Sequence, residues 1–301
     1  MASKSGLPSR PSSAHDARVD ISVLVSDWDG HRLLDSGDGF KLEEIGGVRM
    51  IRSEPKAWWS KSLPAAEWAR AVAEHEEGGR EGRWKLKGNC PKEWETKLGK
   101  LRFQLRFMDN SKQFGVFAEQ SPHWKWVAER PQKLEPRPRL LNLFGYTGAA
   151  SLGAAQAGWH VTHVDASKPA VAWGRRNQEL SGMAQEPIRW IIEDAMTFVK
   201  REVKRGNKYE AIMLDPPAFG RGPTGEFWKV ERDLAPLLRA CRELLSPRRQ
   251  VLAEEVEHLG TVMCRDWHGN GQENALFCPA PRSCRPNWAG TPDAHDPVTA
   301  S

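Results

Sequence analysis

The chain has 301 residues, 39% of them hydrophobic and 28% charged, with a formal net charge of +5 and a pI near 9.0. Those proportions suit a soluble globular protein, and no apolar run reaches the roughly 20 residues needed to cross a bilayer, which excludes a membrane span. The basic balance allows a polyanionic partner without requiring one. Five irregularly spaced cysteines argue for a reducing compartment rather than a disulfide framework.

In chain order, residues 1–27 open with "MASKSGLPSRPSSAHDAR", rich in Ser and basic, and read as a disordered tail. The competing reading is a weak organellar signal, which would make the location mitochondrial instead of cytoplasmic. Residues 28–128 read as a small β-rich mixed subdomain. In it "LLDSGDGFKLEEIGGVRMIRSEP" alternates like a meander, "SLPAAEWARAVAEHEE" predicts a helix, and "LRFQLRFMDNSKQFGVFAEQ" predicts a hairpin turning at Asp109-Asn110-Ser111. The 14 tryptophans are expected mostly in packing, with a few free to stack on a flat ligand. "ERPQKLEPRPR", residues 129–139, reads as a connector.

From there to residue 246 strands and helices alternate. "RLLNLF", "HVTHVDAS", "PIRWIIED" and "YEAIMLDPP" read as strands. "GAASLGAAQAG", "KPAVAWGRRNQELSG", "AMTFVKREVKRGN" and "VERDLAPLLRACRELLS" read as helices. Such spacing requires parallel crossovers, so the fold class is α/β with a doubly wound, Rossmann-like sheet. Residues 247–301 hold only short apolar fragments such as "LGTVM" among Pro, Gly, Cys and Trp. They read as an irregular, atypical tail that leaves the C-terminal part of the sheet incomplete.

In a doubly wound sheet ligands bind beyond the carboxyl ends of the strands. Phe144-Gly145-Tyr146-Thr147-Gly148 follows the first strand, and Asp165 closes the second about 20 residues on, a distance at which an acid meets ribose hydroxyls. Asp194 closes the third strand and Asp215-Pro216-Pro217-Ala218-Phe219 the fourth. The glycines let backbone amides approach a carboxylate or phosphate, Asp165 can accept from a vicinal diol, and Asp194 suits an adenine amine. Asp215 can accept from a donor held against the stiff Pro-Pro turn, with Phe219 as an aromatic face for a planar substrate. Each piece also has a plainer role, since an Asp at a strand end more often caps the next helix. Their order on four successive strand ends favours a nucleoside cofactor. A G-x-G-x-x-G fingerprint and a P-loop lysine are both missing, which disfavours NAD, FAD and ATP and leaves S-adenosylmethionine.

"GVFAEQSPHWKWV", "LLNLFGYTGAASL", "VTHVDASKPAVAWGRRNQELSG", "IIEDAMTFV" and "AIMLDPPAFGRGPTGEFWKV" together resemble the class I S-adenosylmethionine-dependent methyltransferases. The nearest group includes the bacterial large-subunit ribosomal RNA cytosine-C5 enzymes. The resemblance implies that Phe144, Gly145, Tyr146, Thr147 and Gly148 cradle the cofactor, with Asp165 on the ribose, Ser167 beside it, Asp194 near adenine and Gln120 as a further contact. It implies that Asp215, Pro216, Pro217 and Phe219 face the methyl-accepting base, that the substrate is RNA, and that no metal takes part.

The chain departs from the C5 enzymes where their nucleophilic cysteine follows the next strand. Cys241 sits in a helical pattern and reads as structural, and Cys264 has the wrong context. Cys264, His268, Cys278 and Cys284 fit no structural zinc spacing. His123 and Trp124, beside Trp126, either line the cleft or pack between the two parts of the chain. The alternative to an active methyltransferase is a protein that keeps the cofactor fold and serves as an interaction module.

Overall fold

A computed structural model describes residues 28–76, 82–108, 111–129 and 137–246, and the backbone of Val262–Met263. The N-terminal meander forms as the alternation predicts, from β1 (His31–Gly37), β2 (Phe40–Ile45) and β3 (Val48–Ser53) in antiparallel register. Its turns use two-residue links with positive φ at both positions: Asp38 at 51° and Gly39 at 82°, then Gly46 at 55° and Gly47 at 80°. That backbone matches the twist of the flanking strands.

The helix expected over "SLPAAEWARAVAEHEE" is corrected. Only α1 (Ala65–Ala69) is helical, and Ala73–Glu76 is strand β4, parallel to β3 and antiparallel to β5 (Arg83–Leu86). Helix propensity loses here to burial, because Ala73 and His75 point into the sheet while Trp68 and Ala71 close over Leu42. The five strands run in the order β1-β2-β3-β4-β5.

The predicted hairpin over residues 101–120 is also displaced. β7 (Leu101–Arg106) pairs with β6 (Glu93–Leu98) across Gly99, whose φ is 57°. Beyond Arg106 the return is reduced to two backbone bonds, Arg106 N–H to Phe114 O at 3.0 Å and Met108 N–H to Gln113 O at 3.4 Å. Gly115, at φ 120°, then bends the chain toward a 3-10 turn at Ala118–Gln120 and α2 (Ser121–Ala128).

Most of the 129–139 connector lies outside the described residues. The expected alternation follows: β8 (Arg139–Leu143), α3 (Ala149–Gln156), β9 (His160–Asp165), α4 (Lys168–Leu180), β10 (Ile188–Ile192), α5 (Ala195–Lys204), β11 (Ala211–Leu214) and α6 (Val230–Leu244). β10, β9, β8 and β11 are parallel neighbours in that order. The tail reading needs one correction. Val262–Met263 forms β14, antiparallel to Met213–Leu214, and extends the sheet beyond β11. The remainder of 247–301, with Cys264, His268, Cys278 and Cys284, lies outside the described residues, as do residues 1–27.

Alternate side chains of the parallel strands serve opposite faces. Leu140, Val161 and Met213 pack toward α2 and α3, in a cluster that continues through Trp124 and Phe103 to Ile45 and Met50 of the first sheet. Leu141, Leu143, Val164, Ile212 and Leu214 pack toward α5 and α6, where Cys241 is fully buried. This two-sided burial explains why the strands read as continuous apolar runs. Trp28, Trp68, Trp124, Trp159, Trp173 and Trp228 are buried, which accounts for much of the tryptophan content. Among the described residues no helix is long and apolar enough to cross a membrane.

One buried ion pair ties the first sheet to the segment that walls the site. Arg52 donates to Glu43 through Nε at 2.6 Å and Nη2 at 2.9 Å, and its guanidinium lies 4.6 Å from the Phe114 ring centre. Burial pushes the Glu43 carboxyl up, but the bonds from His31 and Arg52 and the Lys41 charge outweigh it and hold it at about 2. A folded-state value below the unfolded 4.5 contributes stability that is present above the unfolded value and lost as pH falls toward the folded one. Thermal melts should therefore show a loss on the order of 3 kcal/mol between about pH 5 and pH 2. Arg52→Ala, which strands a buried carboxylate, should cost about 3–5 kcal/mol at neutral pH by urea unfolding.

Candidate functional site

A cavity of about 630 Å³ opens at the carboxyl ends of β8 to β11, within the size range of small-molecule sites. Phe144, Tyr146, Asp165, Ser167, Asp194, Asp215, Pro216, Pro217 and Gln120 line it. A second space of about 50 Å³ adjoins it under the first turn, bounded by Gly145, Thr147, Trp124 and Asn142, and it shares Phe144, Tyr146, Gln120 and Asp215 with the first. Trp124 thus both lines the cleft and packs in the core. His123 is buried behind it, its Nδ1 2.6 Å from Gln120 Oε1.

The turn after β8 is strained by construction. Phe144, Tyr146 and Gly148 have φ of 57°, 50° and 83°. A left-handed conformation costs a non-glycine residue roughly 1–2 kcal/mol, so two of the three need outside support. Gly145 N–H donates to Val164 O at 3.1 Å, Tyr146 N–H to Asp165 Oδ2 at 2.8 Å, and Gly148 N–H to Gly145 O at 3.0 Å. The expectation that the turn holds its amides open is thereby corrected in part. Those three are consumed internally, while the N–H groups of Thr147, Ala149 and Ala150 remain unpaired among the described residues at the start of α3. The Thr147 hydroxyl is also committed, donating to Gly115 O.

Behind the turn lies a buried polar cluster that the sequence did not single out. Asn142 Nδ2 donates to Ser151 Oγ at 2.9 Å, and Ser151 Oγ is 3.0 Å from His163 Nδ1. Burial pushes the His163 imidazole down to about 3, so it is neutral at ordinary pH. Beside it, the Trp190 ring lies 2.7 Å from where a Cβ on Gly148 would stand and 2.5 Å from one on Gly174. Gly148→Ala combines that clash with a left-handed backbone, so it should destabilise by roughly 2–4 kcal/mol. That corresponds to a Tm lower by on the order of 10 °C, measurable by calorimetry.

Asp165 is the hinge of the arrangement. Oδ2 accepts from Tyr146 N–H and Oδ1 from Ser167 N–H, both at 2.8 Å, which leaves each oxygen further lone-pair capacity toward the cavity. Burial raises its pKa, opposed by those two amides. Ser167 caps α4, its Oγ accepting from Ala170 N–H at 3.3 Å. Asp194 caps α5, with Oδ1 accepting from Thr197 N–H at 2.8 Å. Both caps line the cavity, so the plainer role and the site position coexist in the same residues.

At the end of β11, next to the end of β8, the Asp215-Pro216-Pro217 turn is clamped by a residue not foreseen in the sequence. Trp228 donates from Nε1 to Pro217 O at 2.7 Å and packs on Phe144, ring centres 5.0 Å apart. Asp215 is open to the cavity, yet the surrounding walls, and then the Glu119 carboxylate, raise its pKa. Phe219 is placed differently from the rest. It stands 73% exposed on β12 (Phe219–Arg221), which pairs with β13 (Phe227–Lys229) in a short hairpin, and its side chain is outside the cavity lining.

Residues 40–259 match the family described as S-adenosylmethionine-dependent methyltransferase. The chain belongs to that family. A crystal structure of the S-adenosylmethionine-dependent methyltransferase from Agrobacterium tumefaciens superposes with a TM-score of 0.72 at 44% identity, covering 74% of this chain and 72% of that one. SMU.776, solved in complex with S-adenosylhomocysteine, superposes with a TM-score of 0.57 at 19% identity over 72% of this chain and 59% of that one, which shows the shared fold. The ribosomal RNA large subunit methyltransferase K/L of Hahella chejuensis is 36% identical over 135 residues, 44% of this chain and 18% of that protein. Its counterpart in Methylococcus capsulatus is 38% identical over 111 residues, 36% of this chain and 15% of that protein. The alignments therefore span less than a fifth of those curated relatives.

The cavity of this methyltransferase fits the family's cofactor by its donors and acceptors. Unpaired amides at the α3 N-terminus suit a carboxylate. The spare lone pairs of Asp165 suit a ribose diol, and the uncapped oxygen of Asp194 suits an exocyclic amine. Gly148 itself lines neither space, since the side on which its Cβ would stand is closed by Trp190 and Gly174.

Proposed function

We propose that this methyltransferase transfers a methyl group from S-adenosylmethionine to a base in RNA, with a ribosomal RNA-like substrate. The observation that carries the reading is the meeting of two groups of residues in one cavity. Phe144 and Tyr146 of the first turn, with Asp165, Ser167, Asp194 and Gln120, share this cavity with Asp215, Pro216 and Pro217; the first group would hold the cofactor and the second would face the acceptor. The ribosomal RNA names of the partial relatives and the net charge of +5 support RNA as the acceptor. Residues 28–128 would then present a substrate-facing surface, and the cytoplasm, where ribosomes are met, would be the location.

When bound, S-adenosylmethionine supplies an electrophilic methyl group on a sulfonium. The chain's own residues do the positioning. The α3 amides would hold the cofactor's carboxylate, Asp165 its ribose and Asp194 its adenine, while the Trp228–Pro217 bond stiffens the turn that carries Asp215. An acceptor donating to Asp215 is thereby held in line, and a carboxyl of raised pKa is suited to take its proton.

Labelled-methyl transfer tests the reading. Counts from methyl-labelled S-adenosylmethionine should appear in unmodified total bacterial RNA and be removed by ribonuclease. Counts in the protein fraction alone, or none in either, would overturn it.

A further inference from the structure

The β12–β13 hairpin has two chemically distinct faces. Its register sets Phe219 opposite Lys229, Gly220 opposite Trp228 and Arg221 opposite Phe227. In an antiparallel pair, directly opposed residues and those two apart share a face. Trp228 is therefore on one side, buried against Phe144 and the Pro217 carbonyl. Phe219, Arg221, Phe227 and Lys229 are together on the other side, and all four are exposed.

That outer face is unusual for a surface left to water. Phe219 is 73% exposed and Phe227 46%, although the hairpin is only three residues on each strand. The cations sit diagonally, each across from a ring, and Lys229 Nζ lies 5.6 Å from the Phe227 ring centre. Neither Arg221 nor Lys229 has a carboxylate within ion-pair distance among the described residues. Glu226 is turned back on the hairpin tip, where it accepts from Thr224 N–H at 3.0 Å. The platform is also rigid, because Trp228 anchors its inner face and Val230 N–H donates to Ala218 O at 3.0 Å at its base. It is continuous with the site as well, since Arg221 itself belongs to the cavity rim.

Two exposed rings alternating with two unpaired cations match the chemistry of a single-stranded nucleic acid: flat bases on a phosphate backbone. A duplex offers its bases no such access, and a protein partner gives no reason for cations at both diagonals. We infer that the outer face of this hairpin is a stacking platform for the unpaired nucleotides that flank the methylated base. Phe219 and Phe227 stack on bases, and Arg221 and Lys229 meet phosphates. The inference rests on RNA being the acceptor and moves Phe219 from the target base to its neighbours.

The test uses the full chain, a fluorescein-labelled single-stranded oligoribonucleotide of mixed sequence, and a duplex of the same sequence, read by anisotropy. The double variant Phe219→Ala/Phe227→Ala should raise the Kd for the single strand at least about tenfold, or about 1.4 kcal/mol. Affinity for S-adenosylhomocysteine and Tm should stay unchanged. Phe219→Tyr/Phe227→Tyr should retain near wild-type affinity, since a phenol ring stacks as well. Lys229→Ala should flatten the dependence of log Kd on log salt by about 0.7. Unchanged single-strand affinity in the double alanine variant, while the wild type binds RNA, overturns the platform and leaves RNA as acceptor intact. Equal binding of duplex and single strand, insensitive to both rings, also overturns it. A wild type that binds neither RNA while methylating protein overturns the RNA reading itself, and the platform with it.

Discussion

Asp215→Ala should lower methyl transfer to RNA by at least about a hundredfold, the scale of a lost positioned acid–base group, while affinity for S-adenosylhomocysteine changes little. The carboxylate stands at the carboxyl end of β11, beside the end of β8 where the Phe144–Gly148 turn begins, and under the proposed reading its removal acts on the acceptor. Asp215→Asn keeps the shape and removes the charge, and should be nearly as severe if proton acceptance matters. Glu119 provides a finer reading. Its negative charge contributes to the raised pKa of Asp215 after burial, so Glu119→Gln should lower that pKa. The acidic limb of the rate profile then moves to lower pH. Equal loss of turnover and cofactor binding in Asp215→Ala would place Asp215 on the cofactor side.

The second large effect is at Asp165. Charge-assisted bonds to a ribose diol are worth about 1.5–3 kcal/mol, so Asp165→Ala should weaken S-adenosylhomocysteine binding roughly 10- to 150-fold by calorimetry. The structure adds a stability consequence. The same carboxylate accepts the Tyr146 and Ser167 amides, and losing it leaves the left-handed Tyr146 backbone unsupported. Unfolding should report a further loss of about 1–3 kcal/mol from those unsatisfied donors. Asp165→Asn separates the two, because an amide oxygen can still hold one backbone donor while serving a diol less well. Unchanged cofactor affinity in Asp165→Ala would refute the placement on the ribose.

The α/β half was legible because each signal was local. Apolar runs of strand length, Gly158 and Gly182 just past helix ends, and acids at strand ends all require only short-range reading. Asp165, Asp194 and Asp215 were found that way and converge on one cavity. What was misread depends on distant partners. Ala73–Glu76 has helical composition and becomes a strand because β3 and β5 flank it. Leu101–Arg106 pairs backward with Glu93–Leu98 instead of forward, since Gly115 turns the forward segment away. The amides of Gly145, Tyr146 and Gly148 could not be known as occupied without the positions of Val164 and Asp165. Trp228 and Trp190, which hold the Pro217 carbonyl and the Gly148 approach, look in sequence like two more members of a tryptophan-rich chain. One signal for Trp228 was present and unused: the Phe219–Lys229 stretch alternates around a Gly-Pro-Thr-Gly turn.

The placement of the cofactor is tested most directly by backbone hydrogen exchange with and without saturating S-adenosylhomocysteine. Protection should rise in the segment containing Thr147, Ala149 and Ala150 and in those containing Ser167 and Ala195, with the β1–β5 sheet unchanged. Protection that instead appears in the N-terminal sheet, with the turn at 144–150 exchanging as before, would contradict it.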